Sequence, residues 1–203
     1  ILLIADEVIT GFGRLGEWFG STYFGIEPDL MSFAKGVTSG YLPLGGVLIS
    51  DRVANVIIDN GGEFAHGFTF SGHPVACAVA LANIRILRDH GIVERVKNEK
   101  APYFQRQWST LANHPIIGEA RSAGLVGALE IVSDKSQRAR FPKGQKAGDR
   151  CRDFCFENGL VMRAVGDSMI VSPPLIIEND QIDELVEKAH RSLDLTAEAL
   201  AAT

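Results

Sequence analysis

The chain opens on Ile1–Ala5, an unbroken apolar run, and follows it at once with two carboxylates, Asp6 and Glu7. A strand without polar alternation is apolar on both faces, so it must be covered on both. Sheets flanked by helices meet that requirement; one-sided antiparallel sheets do not. Leu30–Ala34 repeats the pattern and ends at Lys35, and Gly45–Ser50 supplies a third apolar run. Strands that each terminate in a polar residue predict an α/β sheet with its functional residues along the carboxyl edge. The first residues already lie inside such a strand, and no initiator methionine precedes them. That pattern reads as the carboxy-terminal part of a longer protein.

Helical signals come next. Asp51 is placed to cap a helix running to about Ile58, and Pro74 sits in the first turn of a periodic, Ala-rich stretch that stops at His90–Gly91. A more charged helix is predicted from Ile92 to about Ala112. Beyond it the composition shifts. Ile116–Ala123 and Leu125–Val132 read as strands, Ala147–Asn158 as a helix closed by Gly159, and Leu160–Arg163 with Met169–Ser172 as a hairpin around Gly166–Asp167. Asn179 or Asp180 is placed to cap a last amphipathic helix that ends near Ala201. The expected organisation is an α/β domain over 1–110 and a small α+β domain over 111–203.

Composition narrows the function. With 46% apolar and 22% charged residues the chain is an ordinary globular protein. A net charge of −5 and the absence of a Lys/Arg cluster argue against nucleic acid as a partner. The histidines lack zinc-ligand spacing, so no metal is expected. Cys151 and Cys155 share one helical face, which suits small buried side chains better than a redox pair. No long apolar span is present, and the cytoplasm is the default location.

Lys35 is the chief candidate for chemistry. It stands where an apolar strand gives way to the glycine-rich stretch Gly36–Gly46. Desolvation lowers a lysine's pKa, and a neutral amine is what a Schiff base to a carbonyl cofactor requires. Asp6, at another strand end, supplies the opposite charge, so the pair could hold opposite ends of one ligand. Gly11–Gly16 matches GxGxxG, but Asp6 and Glu7 intervene after the strand and would repel a pyrophosphate, so a dinucleotide site is not expected. Thr69, within Gly67–Pro74, lies just before a helix start, where free N–H groups favour an anion; capping by Ser71 is the plainer reading of that segment. Arg163, ahead of a turn, offers a guanidinium suited to a carboxylate.

Three stretches carry a family signature: DEVITGFGRLG at 6–16, SFAKGVTSGYLPLGG at 32–46 and GFTFSGHP at 67–74. Together they resemble a class III aminotransferase, a pyridoxal 5'-phosphate (PLP) enzyme of fold type I. The resemblance implies the end of a fold type I large domain followed by a small carboxy-terminal domain. It implies that Asp6 pairs with the pyridine nitrogen of PLP and that Val8 packs on one ring face. Lys35 would form the Schiff base and move the proton. Thr69 would bind the phosphate of a cofactor held by the neighbouring subunit, which implies a homodimer or a dimer of dimers. Arg163 would bind a substrate carboxylate and swing away for amines. The implied substrates are an amine or ω-amino acid and a 2-oxo acid. Ile9 occupies a position where ornithine- and GABA-type members usually carry Gln, so the pattern is closer to the ω-amino acid:pyruvate and amine:pyruvate members. Alternatives are a 2-oxoglutarate-dependent enzyme of the same class or a non-catalytic dimerising fragment. The glycine/serine phosphate loop and the stacking aromatic of the family are missing, so the isolated chain is expected to be inactive.

Overall fold

The computed structural model describes residues 1–202. The chain divides into two compact units, Ile1–Lys97 and Asn98–Thr203. The division falls inside the helical run that the sequence pattern predicts from Ile92 to about Ala112.

The first unit carries a three-stranded sheet in the order β1 (Ile4–Asp6), β2 (Leu30–Phe33), β3 (Gly46–Ile49). β1 runs parallel to β2, with Ile4 opposite Leu30 and Asp6 opposite Ser32. β3 runs antiparallel to β2. β1 is shorter than the predicted Ile1–Ala5 strand and starts later, which makes Asp6 its last residue. Cover on both faces is not what these strands have: Ile4 is 65% exposed and Val47 58%. β1, an edge strand here, is paired on one side only.

This unit also carries the helices α1 (Gly20–Phe24), α2 (Asp51–Asn60) and α3 (Pro74–Asp89). Asp51 is the first residue of α2 rather than its cap, a position Ser50 occupies. α3 is capped by His73, whose Nδ1 accepts from the N–H of Ala76 at 3.4 Å, while Ser71 Oγ accepts from Phe68 N–H at 2.9 Å. Ser71 therefore closes its own turn instead of capping the helix. The single long helix predicted from Ile92 is broken into α4 (Ile92–Arg95), a π-helical turn (Val96–Lys100), α5 (Ala101–Ser109) and a 3-10 turn (Thr110–Asn113). Pro102, in the first turn of α5, has no N–H to give to an α-helical ladder, so the repeat changes just ahead of it.

The second unit is an antiparallel four-stranded sheet, ordered β4 (Ile117–Ala123), β5 (Val126–Ile131), β7 (Ser168–Val171), β6 (Arg163–Val165). It packs with α5, α6 (Ala147–Glu157) and α7 (Asn179–Ala201). Phe104 and Trp108, both fully buried and stacked at 5.4 Å, lie against β5 at Gly127, where a Cβ would come within 2.7 Å of the Trp108 ring. Leu129, Ile131, Met169, Ile182 and Leu193 fill the rest of this core. The β6–β7 hairpin turns at Gly166–Asp167, with Val165 paired to Ser168. Its first strand begins at Arg163 rather than ending there. α7 starts from Glu178, whose side chain and that of Gln181 form a reciprocal capping box, one residue ahead of the predicted caps. No helix among the described residues is long and apolar enough to cross a membrane.

Candidate active site

The strand ends of the first unit bring Asp6 and Lys35 to one sheet edge. Asp6 stands opposite Ser32 in the parallel β1–β2 pair, and Lys35 follows on β2's exit, about 10 Å of extended chain beyond that register point at most. Asp6 Oδ1 accepts from the N–H of Val8 at 3.1 Å and from Ser32 Oγ at 3.3 Å. These two bonds fix the carboxylate to its own turn and to the neighbouring strand. Val8, two residues on, is half-buried.

Glu7 turns the other way and is 2% exposed. Its carboxylate accepts from Gly20 N–H at 2.7 Å, from Ser21 N–H at 2.5 Å and from the Thr10 hydroxyl. Burial pushes this carboxyl up, but the bonds donated by Thr10, Ser21 and Gly20 outweigh it and hold the group below the usual carboxylate range. Glu7 thus gathers the opening amides of α1 and the loop before it under the end of β1. The sequence pattern treats Glu7 only as a charge beside Asp6; besides the nearby Thr10, its partners are backbone groups thirteen and fourteen residues away, which no local motif reveals.

The Gly11–Gly16 loop is a platform. Gly16, with φ of +83°, lies so close to Lys97 that a Cβ would sit 2.7 Å from its Cα, and Lys97 Nζ bonds Glu17 at 2.5 Å. Phe12 packs edge-on against Phe19 and Phe33. These glycines serve close backbone approach, and no long helix starts within the motif.

Lys35 opens a one-turn 3-10 segment, Lys35–Val37, and its own φ is +42°. A left-handed backbone is disfavoured for a residue with a Cβ and persists only where neighbours impose it. Gly36 provides one such constraint, since a Cβ there would lie 3.1 Å from Phe12 Cβ and 3.3 Å from the Gly11 carbonyl oxygen. The second constraint is Asn83 of α3, whose Nδ2 donates to the carbonyls of Gly36 at 2.8 Å and Val37 at 3.1 Å. The lysine side chain itself is exposed, which differs from the desolvated setting expected from its apolar strand. Strand β2 is only half-buried, so its end lies open as well.

Thr69 lies in the exposed turn between α2 and α3, close to the start of α3. Arg163 opens β6 in the second unit, exposed, with Ile170 as its register partner. Cys151 and Cys155 are both buried on α6. Among the described residues no cluster of His, Cys, Asp and Glu could hold a metal ion.

The family profile described as aminotransferase class-III matches residues 1–193. A putrescine–pyruvate aminotransferase of Pseudomonas aeruginosa is 61% identical over 203 residues, covering 100% of this chain and 44% of the relative. A diaminobutyrate–2-oxoglutarate transaminase of Halomonas elongata is 40% identical over 205 residues, covering 98% of this chain and 44% of the relative. The solved structure of a thermostable (S)-enantioselective ω-transaminase from Thermomicrobium roseum superposes with a TM-score of 0.91 at 42% identity, over 97% of this chain and 44% of that one. The chain therefore spans less than half the length of the relatives it matches.

Proposed function

The chain belongs to the class III aminotransferases, and on that premise we propose that the full-length protein moves an amino group from an amine or ω-amino acid to a 2-oxo acid, with pyruvate as the acceptor. The observation that carries the reading is the pairing of Lys35 and Asp6 on neighbouring, parallel strand ends.

These residues fit pyridoxal 5'-phosphate. The cofactor needs an amine for its aldehyde, and the Lys35 ammonium group has no hydrogen bond or ion pair among the described residues. It needs a carboxylate to accept the N–H of its ring nitrogen. Asp6 Oδ1 is tied to Val8 and Ser32, which leaves Oδ2 without a partner among the described residues. Val8 would pack against the ring and Thr69 would hold the phosphate of a cofactor bound to the partner copy, so the working form is a homodimer or a dimer of dimers. When bound, the cofactor supplies the electron sink that stabilises a carbanion at the amino-bearing carbon. Lys35 Nζ would hold the proton taken from that carbon and return it. Asp6 would accept a hydrogen bond from the ring N–H and so favour the positive charge there. Arg163 is the candidate receptor for a substrate carboxylate, and the cytoplasm is the proposed place of work.

Pyruvate is favoured over 2-oxoglutarate because the pyruvate-using relative is far more similar than the 2-oxoglutarate-using one. The test supplies purified full-length protein with a terminal diamine and equal amounts of the two acceptors. Alanine as the main product supports the reading; glutamate as the main product moves the protein to the 2-oxoglutarate branch, and neither product refutes transamination.

A further inference from the structure

Helix α3 buries Ala76, Ala80 and Leu87. Asn83 lies on the same stripe, since the spacings 76, 80, 83, 87 follow the helical repeat. A carboxamide on an apolar stripe is unfavourable unless its hydrogen bonds are met. Asn83 satisfies its donor side by giving its amide hydrogens to consecutive carbonyls, those of Gly36 and Val37. Both partners can only accept, so they dictate which end of the amide faces them. Those carbonyls belong to the turn that starts at Lys35, whose φ of +42° needs constraint from its surroundings.

We infer that Asn83 is a positioning residue for Lys35. It holds the two carbonyls that follow the lysine and so fixes the direction in which the lysine leaves the backbone. The inference rests on the reading of Lys35 as the cofactor-binding lysine, and it names a second helix as part of the site. It also ties the lysine turn to α3, the helix that follows the Thr69 loop.

The test uses full-length protein carrying N83L, N83A or N83Q beside the wild type. Leucine has the same branched heavy-atom skeleton as asparagine, is somewhat bulkier and completes the apolar stripe, so N83L deletes both donors while still filling the site, and N83A deletes them without added bulk. Thermal melting is measured for each variant. Well below the melting point, each is mixed with PLP and borohydride, and the rate of phosphopyridoxyl labelling at Lys35 is followed by peptide mass mapping. The pH midpoint of the bound cofactor's absorbance is recorded in parallel. Loss of two neutral hydrogen bonds is expected to slow Lys35 labelling about tenfold in N83L and N83A and to move the pH midpoint. N83Q, which keeps the donor, should recover part of the rate. N83L labelling at the wild-type rate with an unmoved pH midpoint overturns the inference, whatever its melting temperature. If the wild type takes no label at Lys35, the proposed function itself falls, and the inference with it.

Discussion

Replacing Glu7 by Gln tests the idea that one buried carboxylate organises the loop beneath the candidate site. The native side chain receives bonds from Gly20 N–H, Ser21 N–H and the Thr10 hydroxyl, and it is 2% exposed. A glutamine keeps one acceptor oxygen, enough for Gly20 and Thr10, which share Oε2. Its amide group would then face the Ser21 N–H, a donor against a donor. Losing one charge-assisted bond and leaving a buried donor unpaired costs about 3 kcal/mol. That corresponds to about a hundredfold loss of protection against local opening. Hydrogen exchange read by mass spectrometry on the peptide containing Gly20–Phe24 in the full-length protein measures it directly. The pH dependence gives a second check. The folded Glu7 carboxyl titrates below its unfolded counterpart, so its stabilising effect is complete above the unfolded pKa of about 4.3 and fades as pH falls through the folded value. The wild type should therefore approach the E7Q level in acid. Equal protection of the two proteins at neutral pH would refute the reasoning.

G36A introduces a Cβ at 3.1 Å from Phe12 Cβ, so it should destabilise the lysine turn by about 1–3 kcal/mol; urea melts and the Lys35 labelling rate should both register the change. His114 is buried between Asp194, which it bonds at 3.2 Å, and the ring of His190, with Lys135 also acting on it. Burial lowers its pKa more than Asp194 raises it. Its contribution to stability should be complete above about pH 6.5 and decline as pH falls through the folded pKa, and H114Q should flatten that part of the wild-type melting profile.

The candidate site was legible where its signals are local. An apolar run that ends in Asp6, and another that ends in Lys35, can be seen residue by residue, and the parallel β1–β2 pairing places them on one edge. Strand direction was less legible: β3 is a short, largely apolar run like β2 yet runs antiparallel to it, because direction depends on the connection rather than on the side chains. The GxGxxG match has a structural use that the motif does not reveal, since seating Gly16 on Lys97 depends on a residue far along the chain. Asn83 left a trace, a polar residue on an apolar helical stripe, but its partners lie 46 and 47 positions away. The hairpin before α7 shows the same limit on a smaller scale. Its Gly166–Asp167 turn could be read from two residues, whereas β6 begins at Arg163 because pairing with β7 sets its length.

Lys35 is the proposed cofactor-binding residue. Borohydride reduction of the full-length protein with PLP, followed by peptide mapping of the wild type and of K35A, tests that role most directly. A phosphopyridoxyl group is expected on the peptide that carries Lys35, with no adduct in K35A. Label on a different lysine, or no label on a folded wild-type protein, would contradict it.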